Sequence, residues 1–306
     1  MVNFYSQRRG NIQKTWLLIT MSFVLVIGLG WLLSWRLNSS AILYVAVGLS
    51  LMMNLVSYWY SDKIALAMSG AKPIKHQDYP ELFHLIENLC QHAHLPLPKI
   101  YLIDSDQINA FATGRDAKHA AIAVTTGALE KLTEKELEGV LAHELSHIGN
   151  RDILVSTVVV VLAGVISILA NWFLRISFWG GSDDNDRGGV LGLILMIFVA
   201  VLAPLAAMLI QLGVSRKREF LADASGALLT HHPNGLARAL EKIAKDNNQL
   251  GTASNATAHL FIANPFKADV SRSTLGSQEG RSWLIKLFMT HPPLEERIKI
   301  LRGMEV

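Results

Sequence analysis

The sequence predicts a mixed α+β membrane protein, with four transmembrane helices and a water-exposed domain whose two halves are separated in the chain. Three observations carry this reading. Hydrophobic residues make up 51% of the 306 positions and charged residues only 17%, too apolar a balance for an ordinary soluble enzyme. The apolarity is concentrated: segments 15–35, 41–60, 153–174 and 189–214 contain no Asp, Glu, Lys or Arg, and each is long enough to cross a hydrocarbon core of ~30 Å. The polar blocks left over mix helical periodicity with short β-rich runs.

Residues 1–60 read as an N-terminal anchor with two spans, 15–35 and 41–60. Trp16, Trp31, Trp35, Tyr58, Trp59 and Tyr60 cluster at their ends, where amphipathic rings favour the membrane interface. The first span is too long for a signal-peptide core and no A-x-A site follows it, so it is expected to remain in place. Arg8, Arg9 and Lys14 precede it, Lys63, Lys72 and Lys75 follow the second span, and Arg216, Lys217 and Arg218 follow the fourth. The positive-inside rule therefore places both termini and residues 61–152 in the cytoplasm, and the loop 175–188, with Asp183, Asp184 and Asp186, on the far side. The net charge of +3 sits at membrane flanks, not in an aromatic-interleaved patch, which excludes nucleic-acid binding. Cys90 is the only cysteine, so no intrachain disulfide forms.

Residues 61–152 read as the first half of the polar domain. "DYPELFHLIENLCQHAHL" places Leu82, Leu85, Ile86, Leu89 and Cys90 on one helical face, and Pro96 and Pro98 end the helix. "KIYLID", "INAFAT" and "AAIAVTTG" read as strands of a small sheet. "LTEKELEGVLAHELSHIG" then reads as a helix with Thr133 and Glu136 as a capping box, and with Glu134 and Glu138 near its positive end. Residues 153–214 form a membrane hairpin of two spans, with Pro204 as a kink; Asn54 and Asn171 are expected to hydrogen-bond between helices. Residues 215–306 form the second half, helical in "SRKREFLADASGALL" and "NGLARALEKIAKDNN". From Gly251 to Ser282 periodicity is lost, and a long mobile loop is expected.

The chemistry lies in "HELSH". His143 and His147, four apart on a helix, project from one face and can share a metal ion. Zinc takes neutral imidazole nitrogens at ~2.0–2.1 Å, and three protein ligands with one open position make a site catalytic. Glu144 lies beside that face, placed to accept a proton from a water and return it to a leaving amine. Random placement of these residue types gives roughly 0.02 such motifs in a chain of this composition, so chance is disfavoured. A third histidine at the spacing of the extended motif is absent, because Asn150 and Ile153 occupy the diagnostic places. A downstream carboxylate is preferred. "REFLAD" offers Glu219 as ligand and, one turn on, Asp223 as the acceptor that fixes a histidine tautomer. A hairpin through 153–214 returns both helices to one side of the membrane.

"HELSH", "SRKREFLADASGA", "THPPLEERI" and the upstream "NAFATG", together with four apolar segments, resemble the HtpX family of membrane-bound heat-shock zinc metalloproteases, which is related to the CAAX prenyl proteases. The resemblance covers nearly the whole chain. It implies a gluzincin-like fold, one Zn2+ held by His143, His147 and Glu219, and Glu144 as general base. It also implies polypeptide substrates, misfolded membrane proteins in particular, cleaved at the cytoplasmic face of a bacterial-type inner membrane. On the same resemblance Asn109, Ala110 and Phe111 form a substrate-binding strand edge, and His291 approaches the metal to stabilise an oxyanion. Read from the residues alone, Phe111 is core and His291 a capping or surface histidine. Two alternatives stand beside the endopeptidase: a CAAX-type protease acting on prenylated C-termini, and a non-catalytic scaffold or holdase with a structural metal. His92, His94, His231 and His232 read as surface residues.

Overall fold

The computed structural model describes residues 4–36, 38–162, 216–254, 257–266 and 292–304. Two long helices lead the chain, α1 (Phe4–Arg36) and α2 (Ser40–Met68). Within them Gly10–Gly28 and Leu43–Met68 are long and apolar enough to cross a membrane. Trp16, Trp31, Tyr44, Val45, Leu51, Leu55 and Trp59 are exposed, a surface that water would penalise and acyl chains accept. The helices are joined by the Ser22 hydroxyl, which donates to Asn54 Oδ1 at 2.9 Å, the interhelical role expected of Asn54.

A four-stranded mixed sheet follows, in the order β1-β2-β4-β3: β1 (Lys72–Pro73), β2 (Lys99–Ile103), β3 (Ala110–Gly114) and β4 (Ala120–Thr125). β2 and β4 are parallel, while β1 and β3 pair antiparallel with them. The three longer strands match the β-rich runs of the sequence. The run read as "AAIAVTTG" ends earlier than expected, because Thr125 Oγ1 accepts from Ala128 N at 3.2 Å and so caps α4 (Thr126–Lys131).

The two faces of the sheet pack differently. Ile100, Ala110, Ala112, Ile122 and Val124 face a core shared with α3 (Pro80–Ala93) and α5 (Glu134–Gly149). Ile103, Phe111, Ala121 and Ala123 face the end of α2 through Ala65 and Leu66. α5 begins with the expected capping box of Thr133 and Glu136. It ends at an 85° bend into α6 (Asp152–Leu162), where Arg151 takes the left-handed conformation with φ of 57°.

After the gap in the described residues come α7 (Arg216–Thr230), α8 (Pro233–Lys245) and α9 (Leu294–Arg302). Leu236, Leu240, Ile243 and Leu301 from these helices enter the same core as Leu82, Ile86, Leu137 and Leu145, so both polar blocks build one interior. Close helix approach depends on glycine. A Cβ at Gly226 would lie 3.0 Å from His143 N, and one at Gly139 would lie 2.6 Å from Leu236 N.

Several expectations are revised or fall outside the described residues. The third predicted span is described only through Leu162, and the rest of it, Asn171, the fourth span, Pro204 and the 175–188 loop fall outside the described residues. Among the described residues two helices satisfy the length and apolarity of a span; the bent pair α5 and α6 would make a third if counted as one. The predicted loop 251–282 is not uniformly a surface loop. Phe261, Ile262 and Ala263 are 0%, 1% and 3% exposed, because Ile262 N–H bonds the Ala110 carbonyl at 3.1 Å and seals that part of the sheet edge. Residues 255–256 and 267–282 of it lie outside the described set.

Candidate active site

Helix periodicity brings the site together. His143 and His147 stand one turn apart on α5, their ring centroids 4.7 Å apart and nearly perpendicular. The Gly226 contact seats α7 against α5, and Glu219 on α7 then reaches both rings. Its two carboxylate oxygens lie 3.8 Å from His143 Nε2 and 3.6 Å from His147 Nε2, and the two Nε2 atoms are 3.2 Å apart. These three residues meet the spacing of a metal-ligand group, with donor atoms all within 4.8 Å of one another.

The donor set fits a zinc ion. Tetrahedral ligands at ~2.0–2.1 Å from a common centre lie about 3.3–3.4 Å from each other, close to the separations found here. Two imidazoles and one carboxylate, with no thiolate, are the donors of a site that keeps a position for substrate or water.

Each ring is held from behind by a carboxylate. Asp223 Oδ1 lies 2.9 Å from His143 Nδ1, and Asp152 Oδ2 lies 3.0 Å from His147 Nδ1. With Nδ1 donating in each ring, both Nε2 lone pairs are directed to the shared point. Both carboxylates have partners of their own. Arg297, fully buried, grips Asp223 with two bonds, Nε to Oδ2 at 2.8 Å and Nη2 to Oδ1 at 2.7 Å, and its Nη1 lies 3.7 Å from Glu219. Asp152 Oδ1 accepts from Asn11 Nδ2 of α1 at 2.5 Å and lies 3.6 Å from Arg218; Asn11 also donates to the Asn150 carbonyl at 3.1 Å.

The electrostatics follow from burial and these partners. Burial, reinforced by Arg297, pushes His143 down to about 4, so it is a neutral imidazole near neutrality. Burial opposes charge on His147 as well, but the Asp152 hydrogen bond and the carboxylates of Glu219, Asp152 and Glu144 outweigh it and raise it to about 9. Burial raises Glu144 to about 8, against the opposing pull of His147, and its carboxylate accepts from Ala112 N–H of β3. Asp223, despite burial, is held down at about 2 by Arg297. Among the described residues one other potential ligand group exists, His76, His84 and Glu87; both histidines are exposed and no buried carboxylate orients either ring.

This ligand set, built across two blocks of chain, accompanies a family match: the model of peptidase family M48 fits residues 76–305. The chain belongs to peptidase family M48. A protease HtpX homolog of Syntrophobacter fumaroxidans is 50% identical over 266 residues, 85% of this chain and 89% of that protein. Another, of Thermoanaerobacter pseudethanolicus, is 41% identical over 309 residues, 98% of this chain and 97% of the relative. The crystal structure of S. mikatae Ste24p aligns over 97% of this chain and 67% of that one at 20% identity, with a TM-score of 0.48. This M48 chain is thus a membrane metalloprotease acting on polypeptides.

The other residues singled out by sequence are placed less simply in this M48 chain. His291 lies outside the described residues. Asn109, Ala110 and Phe111 are 1%, 0% and 0% exposed. The Asn109 amide is engaged with Gln107 Oε1 and with both the N–H and the carbonyl of Ala263, and Phe111 stacks edge-on against Phe261 on the face away from α5. Sequence reasoning missed Arg297, Asp152 and Asn11. Asp152 stands five residues after His147 and carried a local signal; Arg297 lies within the "THPPLEERI" run that carried the resemblance, but only His291 was singled out there, and Asn11 carried no signal.

Proposed function

We propose that the chain is an integral-membrane zinc endopeptidase that hydrolyses misfolded or damaged membrane proteins at the cytoplasmic face of a bacterial-type inner membrane. The observation that carries this is the convergence of His143, His147 and Glu219, with Glu144 beside them, in a member of a peptidase family. When bound there, zinc supplies Lewis acidity and stabilises negative charge developing on a peptide carbonyl. Glu144 takes the proton of the attacking water and returns it to the leaving amine. A divalent cation beside Glu144 favours its carboxylate form, which suits it to act as base. Asp223 and Asp152 hold the two rings, and Arg297 holds Asp223. An extended peptide would pair with β3 at Ala110 only by displacing the Ile262 bond.

Two exposed apolar helices keep the site beside the bilayer, where membrane proteins are met first, and the basic flanks support the cytoplasmic orientation. The relatives at 41–50% identity are HtpX homologues, which gives the CAAX alternative no preference.

The test is cleavage of a generic unfolded protein by the detergent-purified chain, zinc-loaded, with Glu144→Gln alongside. The variant is expected to retain one zinc per chain and to lose about 10²–10⁴-fold in rate. Turnover unchanged in a variant of normal metal content would overturn the assignment of the base.

A further inference from the structure

On the face of the sheet opposite α5 lies a cavity of about 470 Å³, within the size range of small-ligand sites, between the end of α2 and strands β2 and β4. Tyr101 and Ala121 in its wall belong to the face that packs on α2, so the cavity is separate from the peptidase cleft. Its lining carries four cationic side chains, Lys63, Lys99, Arg115 and Lys118, against a single carboxylate, Asp62. Lys63, Lys99 and Lys118 are exposed, so water screens their mutual repulsion, while an anion seated among them would be attracted by all four cations.

The position fixes what anion can arrive. The uncharged stretch of α2 ends at Tyr60, and Asp62 and Lys63 are its first charges, which sets the membrane–water boundary here. Trp59 and Tyr60, 52% and 53% exposed, line the same cavity and have the amphipathic character of interfacial anchors. The Arg115 guanidinium lies 4.7 Å over the Trp59 ring, and Lys63 Nζ lies 5.3 Å over that of Tyr60, so the two cations nearest the bilayer are held on aromatic faces. Arg115 has Asp116 at 3.6 Å. Among the described residues no carboxylate lies within 4.0 Å of Lys63, Lys99 or Lys118.

We propose that this cavity is a binding site for a phosphate anion at the membrane surface, supplied by the headgroup of an anionic lipid. The aromatic rings meet the glycerol and upper acyl region while the lysines and Arg115 meet the phosphate. The enzyme would then hold a structural lipid at the junction of α2 and the sheet, on the side away from its chemistry.

The experiment uses the full chain in phosphatidylcholine nanodiscs, titrated with phosphatidylglycerol, and native mass spectrometry counts lipid retained per chain. Phosphatidylglycerol is expected to be retained over phosphatidylcholine, and the preference to fall with added salt. Lys63→Gln/Lys99→Gln/Lys118→Gln should weaken it by about five-fold per charge, on the order of 100-fold in all. Lys99→Arg/Lys118→Arg keeps the charge and should keep the lipid; zinc content of the peptidase site serves as the folding control for both variants. Inorganic phosphate is titrated in parallel. If it binds as tightly as the lipid and displaces it, the ligand is free phosphate and the lipid source is overturned. Equal retention of the two lipids, or no loss in the triple variant with its zinc intact, overturns the site itself.

Discussion

Arg297 is the residue whose removal the structure makes most costly. It is 0% exposed and makes two bonds to Asp223 at 2.7 and 2.8 Å, with Glu219 at 3.7 Å from its third nitrogen. Arg297→Met preserves most of the volume but leaves the Asp223 charge, 1% exposed, without its counter-ion. Removing one partner of a buried pair costs about 3–5 kcal/mol, which for a chain of 306 residues, at ~2.1 cal/mol/K of unfolding entropy per residue, corresponds to about 5–8 °C in apparent melting temperature. The assay is thermal unfolding of the detergent-solubilised, chelator-treated protein, so that no bound metal compensates the orphaned carboxylates. Asp223→Asn placed on the Met variant removes the uncompensated charge and should recover at least half of the loss, whereas independent effects would add. Arg297→Lys keeps a charge but not the two-pronged geometry, and should fall between. A drop below about 2 °C for Arg297→Met, or strict additivity in the double variant, would refute the reasoning that this pair holds the site from behind.

Two further outcomes are expected. Asn11→Ala removes a donor from Asp152 and so loosens the His147 ring; zinc affinity, read by competition with a chromophoric chelator, should weaken on the order of ten-fold, and Asp152→Ala should weaken it more. Glu136 accepts from Thr133 N–H at 2.8 Å and from Lys242 at 2.6 Å; burial alone would raise its pKa, but Lys242 and Thr133 outweigh it and hold it below the ordinary 4.5. A depressed folded value contributes stability that is present above about pH 4.5 and lost as pH falls through that value. Gln at this position still accepts from Thr133 N–H, so Glu136→Gln removes only the charge that faces Lys242 and should cost about 0.5–1 kcal/mol at pH 7, and a pH series of unfolding curves should show the gap to the parent protein closing below pH 4.5.

What the sequence revealed and what it hid divide by range along the chain. His143 and His147 are related by one helical turn, as are Glu219 and Asp223, and Thr133 and Glu136 are three residues apart, so periodicity and capping chemistry make each pair visible. Even the meeting of α5 with α7 could be argued, because the membrane hairpin expected over 153–214 would return the chain to its starting side. Arg297 has no such periodic signal: the "THPPLEERI" run that contains it stood out only by resemblance, and that drew attention to His291. Arg297 lies 74 residues beyond Asp223 and 154 beyond His143, in a short amphipathic helix where one arginine looks like any other. Asn11, 141 residues before Asp152, reads as a polar residue at a membrane flank. The two-residue strand β1 is defined only by its partner, and Phe261–Ala263 lack periodicity because their burial comes from closing a sheet edge.

Asn11 also changes what the N-terminal hairpin is for. A helix that merely tethered the enzyme could be cut away, leaving a soluble protease at large among proteins it should not touch. Here the tether contributes a bond to the carboxylate behind His147. A copy whose first helix has not reached its place would lack that bond, so the hold on the His147 ring is tied to where α1 sits.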